Sequence, residues 1–142
     1  VPLKEFFVPV DIDPTRETVL KAGEILTEVP LPGAPVGLRS SYRKIRTRRS
    51  WDFALVGVAL ALVMQGDVVR QARVVLSGVA MVPWNADKVE AVLAGKRLDD
   101  STIEKAADAA IAGAEPLSEN AYKLPMLRGL MRQQLEALIP KT

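Results

Sequence analysis

The sequence predicts an α+β fold: a three-stranded antiparallel meander covered on one face by three C-terminal helices, a two-layer sandwich preceded by an irregular N-terminal arm. Three observations carry this. Val56, Val58, Leu60, Leu62 and Met64 alternate with the small residues Gly57, Ala59 and Ala61, and a period of two belongs to a strand. Gly66-Asp67 follows, a pair suited to the two-residue loop of a type II′ hairpin with Gln65 facing Val68, because glycine accepts the positive φ of the first central position. Beyond Pro83 the period becomes helical, in three segments with their own boundary residues. Strands followed by helices make a sheet with the helices on one side.

The first 37 residues are proline-rich and irregular. Leu3–Phe7 is a short apolar patch, and Asp13-Pro14-Thr15 and Pro30–Pro35 read as turns or linker. Glu17–Leu20 and Glu24–Val29 fit two short strands around Lys21-Ala-Gly23. The segment is too short to bury a core alone, so it is expected to be the tail of another domain or an arm lying on one.

The meander opens with the cationic run Arg39–Arg49, continues through the apolar segment Phe53–Met64 and returns along Val68–Val82. The return strand carries Arg70, Gln71 and Arg73 before turning apolar at Val74–Ala80, so its near end is expected to be wet and its far end buried. The face of Gly57, Ala59 and Ala61 admits another element at close range, most simply a helix. Phe53–Met64 holds about twelve apolar residues, short of the roughly twenty that a membrane helix needs. No membrane span is expected.

Asn85 is expected to cap a helix over Ala86–Ala94, with Val89, Val92 and Leu93 as its apolar stripe and Gly95 past its end. Ser101-Thr-Ile-Glu104 is a capping-box pattern opening the second helix. Ile103, Ala106, Ala107, Ala110 and Ile111 share one side of it, and Gly113 and Pro116 end it. The third helix starts near Tyr122, takes Pro125 in its first turn and stops at Pro140. Along it Leu124, Leu127, Met131, Gln134 or Leu135, and Leu138 recur at helical spacing.

Composition narrows the chemistry. A chain of 142 residues buries a core, with one domain as the default, and 49% hydrophobic with 25% charged residues is ordinary for a soluble globular protein. A net charge of +2 names no nucleic-acid partner; only local clustering argues for one. The absence of cysteine and histidine removes Cys/His zinc sites, cysteine-ligated iron–sulfur clusters, thiol nucleophiles and imidazole-based triads. No signal or transit pattern is present, so the expected compartment is cytoplasmic, with export to the periplasm alongside a partner subunit as the alternative. The start at Val-Pro without methionine suggests a processed product or a fragment.

The basic run is the unusual feature. Six cations lie between Arg39 and Arg49, with no acid until Asp52. In a strand, Tyr42, Lys44, Arg46 and Arg48 share one face and Arg43, Ile45 and Arg49 the other. Such a strand is a solvated edge that resists aggregation, or a face that meets another domain or an anionic group. A nucleic-acid patch ranks third, because phosphate tracking needs many cations and only Tyr42 and Trp51 lie near for stacking. An ion pair from Arg48 or Arg49 to Asp52 is expected to pin the corner. Elsewhere, Asp99 and Asp100 read as helix-start acids and Trp84 beside Pro83 as a packing anchor. Glu115, Glu119, Asp11 and Asp13 have no ligand spacing, and no phosphate-cradling glycine loop is present.

Ser41-Tyr-Arg-Lys-Ile-Arg46 and Arg48-Arg-Ser-Trp-Asp-Phe-Ala-Leu-Val-Gly-Val-Ala59 resemble the C-terminal domain of the FAD-binding, medium subunit of molybdenum hydroxylases, the group of carbon monoxide dehydrogenase, xanthine dehydrogenase and bacterial aldehyde oxidoreductases. The similarity continues through Leu76-Ser-Gly-Val-Ala-Met-Val-Pro83, Ala94-Gly95 and Asn120-Ala-Tyr-Lys-Leu-Pro-Met-Leu-Arg128, the last most like the aldehyde oxidoreductase branch. Leu3-Lys-Glu-Phe-Phe7 and Lys21-Ala-Gly-Glu-Ile-Leu26 with Leu31-Pro32 resemble the closing strands of that family's FAD domain. The resemblance implies that residues 1–37 are the tail of an FAD-binding domain and 38–142 the flavoprotein C-terminal domain. It implies an FAD held by the complete subunit and not tightly by this chain alone. The implied partners are an N-terminal FAD-binding portion and the iron–sulfur and molybdopterin subunits of a hetero-oligomer, with electrons passing from the clusters through FAD to NAD or another acceptor. Two site residues carry over: Leu26 as a flavin contact and Lys44 as the residue that reaches the flavin. No catalytic residue and no metal ligand is implied. The competing readings are a stand-alone module binding an anionic partner through Arg39–Arg49, and a pure assembly scaffold.

Overall fold

The computed structural model describes residues 1–139. Its sheet runs in the order β1 (Leu38–Ile45), β2 (Val56–Gln65), β3 (Val68–Ser77), β4 (Trp84–Asn85), each antiparallel to its neighbour. Three helices follow, α1 (Asp87–Leu93), α2 (Asp100–Ala109) and α3 (Lys123–Leu138). The α+β sandwich of the sequence reading is present, with a short fourth strand added where the expected return strand ran on to Val82. The chain instead turns at Gly78 (φ 73°), where a Cβ would press on the Ala54 and Leu55 carbonyls at 2.8 Å.

The β2–β3 hairpin forms as expected, with Gln65 opposite Val68. Gly66 alone in the loop has a positive φ, 61°. Met64 pairs with Val69 but Val63 pairs with Gln71, so Arg70 is the extra residue of a bulge. The bulge explains the burial of β3, which alternates by face rather than running from wet end to dry end: Val69, Ala72, Val74 and Leu76 are buried, while Arg70, Gln71 and Arg73 are exposed. Without the extra residue Val69 and Ala72 would point to opposite faces.

The helices lie on the large-residue face of β2. Val56, Val58, Leu60, Leu62 and Met64 join one core with Val89, Leu93, Ile103, Leu127, Met131 and Leu135. This corrects the expectation that a helix would approach the Gly57, Ala59, Ala61 face, which remains the open side of the sheet. The reason is energetic: burying the branched side chains removes far more apolar area from water than burying the alanines. α1 packs on β3 and α3 on β1 and β2, while α2 packs on the two other helices. Arg128 of α3 joins Glu104 and Asp108 of α2, and Arg132 joins Glu104.

Two caps differ from expectation. Asn85 belongs to β4, and α1 starts without a side-chain cap. For α2 the cap is Asp99, whose carboxylate accepts the Thr102 amide at 2.9 Å, two residues ahead of the expected Ser101. Gly95 (φ 71°) follows α1 as expected, and both Gln134 and Leu135 of α3 are buried. The helix ends at Leu138; Pro140, expected as its stop, lies outside the described residues.

The N-terminal arm holds a 3-10 turn at Leu3–Glu5 and a single bridge between Phe7 and Thr18. The strand expected at Glu17–Leu20 is reduced to that bridge, in which the Val8 amide donates to the Glu17 carbonyl and the Val19 amide to the Phe6 carbonyl, and none forms at Glu24–Val29. The Asp13 turn is present, its carboxylate accepting from both the amide and the hydroxyl of Thr15. Among the described residues, no helix is long and apolar enough to cross a membrane.

Candidate functional site: the cationic trough

β1 divides the basic run between two environments. On the helix side, the Arg39 guanidinium donates to the Leu138 carbonyl (3.0 Å) at the C-terminal end of α3, and Arg43 donates to Gln133 Oε1 (3.3 Å). A cation there complements the negative end of the helix. These two arginines fasten strand to helix. Of the other set, Tyr42 and Lys44 share the open side as alternate residues of β1, whereas Arg46 and Arg48 lie beyond the strand's end at Ile45; all four line a trough of about 680 Å³ at the end of the sheet.

The far wall of the trough is the corner between β1 and β2 together with the end of β3. Trp51 and Phe53 are almost wholly exposed there, each 94% accessible, and Ser77 and Gly78 close the end. Gly57 lies between Lys44 and Ser77 in register. A Cβ on Gly57 would overlap the Ser77 hydroxyl and sit 3.5 Å from the Lys44 Cβ, so glycine lets the Ser77 and Lys44 side chains close over it. The Ser77 hydroxyl oxygen is buried without a hydrogen-bond partner.

The corner is built by Asp52. One carboxylate oxygen accepts from the Thr47 amide (3.0 Å), the Thr47 hydroxyl (2.5 Å) and the Arg48 amide (3.1 Å). The Thr47 hydroxyl first, and the Arg48 amide next, hold the carboxyl below its ordinary pKa. Arg48 donates to the Trp51 carbonyl, and Asp52 makes no ion pair with Arg48 or Arg49 among the described residues. The corner is therefore pinned, but through backbone amides and not through the expected salt bridge. Trp51 takes φ 39°, the one non-glycine residue with positive φ among those described, a conformation costly for a bulky side chain.

Lys44 is half-buried, and its ammonium donates to the Asp52 backbone carbonyl at 2.9 Å. Lys44, Arg46 and Arg48 thus face a trough whose single carboxylate is engaged with its own turn. The result is a positive, aromatic-rimmed surface on the open side of the sheet, suited to an anionic, flat or partly apolar group. Leu26, the other sequence-derived candidate, is half-exposed in the irregular arm and is not among the residues lining the trough. Sequence reasoning missed Phe53, taken as part of the strand although β2 begins at Val56, and it missed the Ser77–Gly57–Lys44 row, which exists only through pairing.

A second cavity of about 250 Å³ lies at the other side of the sheet, between the end of α2 and the start of α3. Trp84, expected as a packing anchor, forms one wall and remains 54% exposed. Lys123 crosses to the Gly78 carbonyl at 2.7 Å.

A family model described as the CO dehydrogenase flavoprotein C-terminal domain matches residues 40–138. The aldehyde oxidoreductase FAD-binding subunit PaoB of Escherichia coli is 36% identical over 124 residues, 87% of this chain and 36% of that protein. The carbon monoxide dehydrogenase medium chain of Hydrogenophaga pseudoflava is 29% identical over 141 residues, 96% of this chain and 47% of that one. Among solved structures, carbon monoxide dehydrogenase from Hydrogenophaga pseudoflava superposes with a TM-score of 0.76 at 31% identity, covering 84% of this chain and 43% of its counterpart. Quinoline 2-oxidoreductase from Pseudomonas putida superposes at 0.73 and 31% identity, with 84% and 42% coverage. The chain spans between a third and a half of the length of these relatives.

Proposed function

Because the chain belongs to the CO dehydrogenase flavoprotein C-terminal domain family, we propose that it is the C-terminal portion of a molybdenum-hydroxylase flavin subunit. In this reading residues 38–142 complete the FAD site and residues 1–37 are the tail of the FAD-binding domain. Iron–sulfur and molybdopterin subunits complete the assembly, which passes electrons from the clusters by way of FAD to an acceptor.

The observation that carries the reading is the trough. Three cations from alternate positions of one strand and its corner meet two exposed aromatic rings beside the uncovered face of the sheet. An isolated domain has no reason to expose two large rings beside three cations, whereas a wall of a shared site does. The residues present fit one side of a flavin site: cations for its negative charge, rings for its flat faces, and no glycine-rich phosphate loop, which another part of the subunit would supply. FAD, when bound, supplies the two-electron redox chemistry.

The chain's own residues bind and tune. Lys44 reaches the flavin from β1, and Leu26 contacts it from the arm. A fixed ammonium beside a ring that gains negative charge on reduction favours the reduced state, and does so more strongly in a partly dry site. The trough keeps a net positive charge, three cations against the one carboxylate of Asp52, which bonds to Thr47 and the Arg48 amide and forms no ion pair with them among the described residues.

Two measurements test this. Mixing the chain with the remaining portion of its flavin subunit is expected to give yellow, flavin-retaining protein; retention independent of this chain would refute the reading. In the intact subunit, Lys44→Ala is expected to weaken FAD binding and lower the flavin midpoint potential, and a variant unchanged in both removes Lys44 from the site.

A further inference from the structure

We infer that Asp52 is the positioning residue for Lys44: its carboxylate closes the Thr47–Asp52 corner, and its backbone carbonyl thereby receives and aims the Lys44 ammonium. The inference rests on the trough being the flavin-facing wall. It goes beyond that reading by naming the residue through which Lys44 is controlled.

The geometry has two halves on one residue. The Asp52 side chain gathers the Thr47 hydroxyl and the Thr47 and Arg48 amides. The Asp52 carbonyl accepts from Lys44 Nζ at 2.9 Å. Lys44 and Asp52 are eight residues apart, and the carbonyl reaches the ammonium only because the corner is folded. A lysine side chain otherwise samples many rotamers, and the neighbours of Lys44 across the sheet, Gly57 and then Ser77, are too small to confine its end by packing.

The choice of a carbonyl over a carboxylate has a chemical consequence. A carboxylate at this position would pair with the ammonium and cancel the field that Lys44 projects. A neutral carbonyl takes one of its three N–H donors and leaves the charge and two donors for a ligand. Asp52 thus orients Lys44 without a direct ion pair, its carboxylate bonding to the Thr47 hydroxyl and the amides of the turn instead of to the ammonium. Trp51, with its positive φ of 39°, immediately precedes Asp52 in the same turn.

The test is a double-mutant cycle in the FAD-loaded subunit at its full natural length, reading flavin midpoint potential and FAD dissociation constant for Lys44→Ala, for Asp52→Ala and Asp52→Asn, and for each Asp52 change in the Lys44→Ala background. Asp52→Asn removes the same negative charge as Asp52→Ala but keeps an acceptor oxygen, so orientation is read as the difference between the two. Relative to Asp52→Asn, Asp52→Ala is expected to lower the potential in the same direction as Lys44→Ala and to raise the dissociation constant by up to about tenfold, the scale of one charge-assisted contact. In the Lys44→Ala background that difference is expected to vanish, because orientation acts only through Lys44. If Asp52→Ala does not retain its fold by circular dichroism, Thr47→Val, which removes one donor to the carboxylate, replaces it in the cycle. Equal potentials in Asp52→Ala and Asp52→Asn, a wild-type potential in Thr47→Val, or a difference that persists in full in the Lys44→Ala background overturns the inference. A Lys44→Ala subunit unchanged in both readings would instead overturn the assignment of the trough.

Discussion

Asp52 places three donors on one oxygen, and its folded pKa lies below the ordinary carboxylate value through the Thr47 hydroxyl and the Arg48 amide. A carboxyl with a depressed pKa stabilises the fold fully above its unfolded value, about 3.9, and that contribution is lost as pH falls through the depressed value. The corner is therefore expected to be unchanged from neutral pH to about pH 5 and to open well below that. Amide protection at Thr47 and Arg48, followed by NMR, should report the step, and Asp52→Asn should remove it. The sharing of one face by Tyr42 and Lys44 was legible from spacing, because alternation is a local property of a strand; β1 ends at Ile45, so Arg46 and Arg48 reach the trough through the corner instead. The partner of Asp52 was not. Charge arithmetic favoured Arg48 or Arg49, whereas the backbone amides of a tight turn lie nearer and have no other acceptor.

At the scale of elements, the outer edge of β3 is covered in three different ways. Lys96 and Gly95 exchange hydrogen bonds with Val69, Glu90 of α1 accepts the Val74 amide at 2.8 Å, and β4 pairs with Val75 and Leu76. A bare edge invites pairing with another chain, so Glu90 acts as a side-chain extension of the sheet where β4 runs out. Glu90→Ala is expected to cost about 1–3 kcal/mol, the penalty for an orphaned amide. Glu90→Gln keeps the acceptor and forfeits only the pair with Arg73, whose side chain is 66% exposed, at about 0–1 kcal/mol. Urea denaturation of the two variants separates the roles. None of this was readable beforehand: a two-residue strand has no period, and Glu90 carries no sign of its target.

For the whole molecule, the division of β2 into a packed face and an open face decides what the chain can do. Leu62→Ala, on the packed face, is expected to cost about 2–5 kcal/mol. Ala59→Lys, on the open face between Tyr42 and Val75, is expected to change stability by about 0.5 kcal/mol or less while weakening association with the remaining portion of the flavin subunit. Denaturation and co-purification, respectively, measure the two effects. Equal stability losses at both positions would mean that the open face is packed within this chain.

The amino-acid order alone determined the α+β class, the hairpin at Gly66-Asp67, the three helices, the common face of Tyr42 and Lys44, and the family resemblance. All of these are read from neighbours a few residues apart, where a period or a positive φ admits few alternatives. Only the tertiary structure decided which face of the sheet the helices take, that Arg39 and Arg43 serve α3 while Lys44 does not, and that Gly57 makes room for Ser77. It also decided that Asp52 meets Lys44 through its carbonyl. Those outcomes depend on contacts between distant segments, settled by how much apolar surface each packing removes from water and which buried polar groups it leaves satisfied.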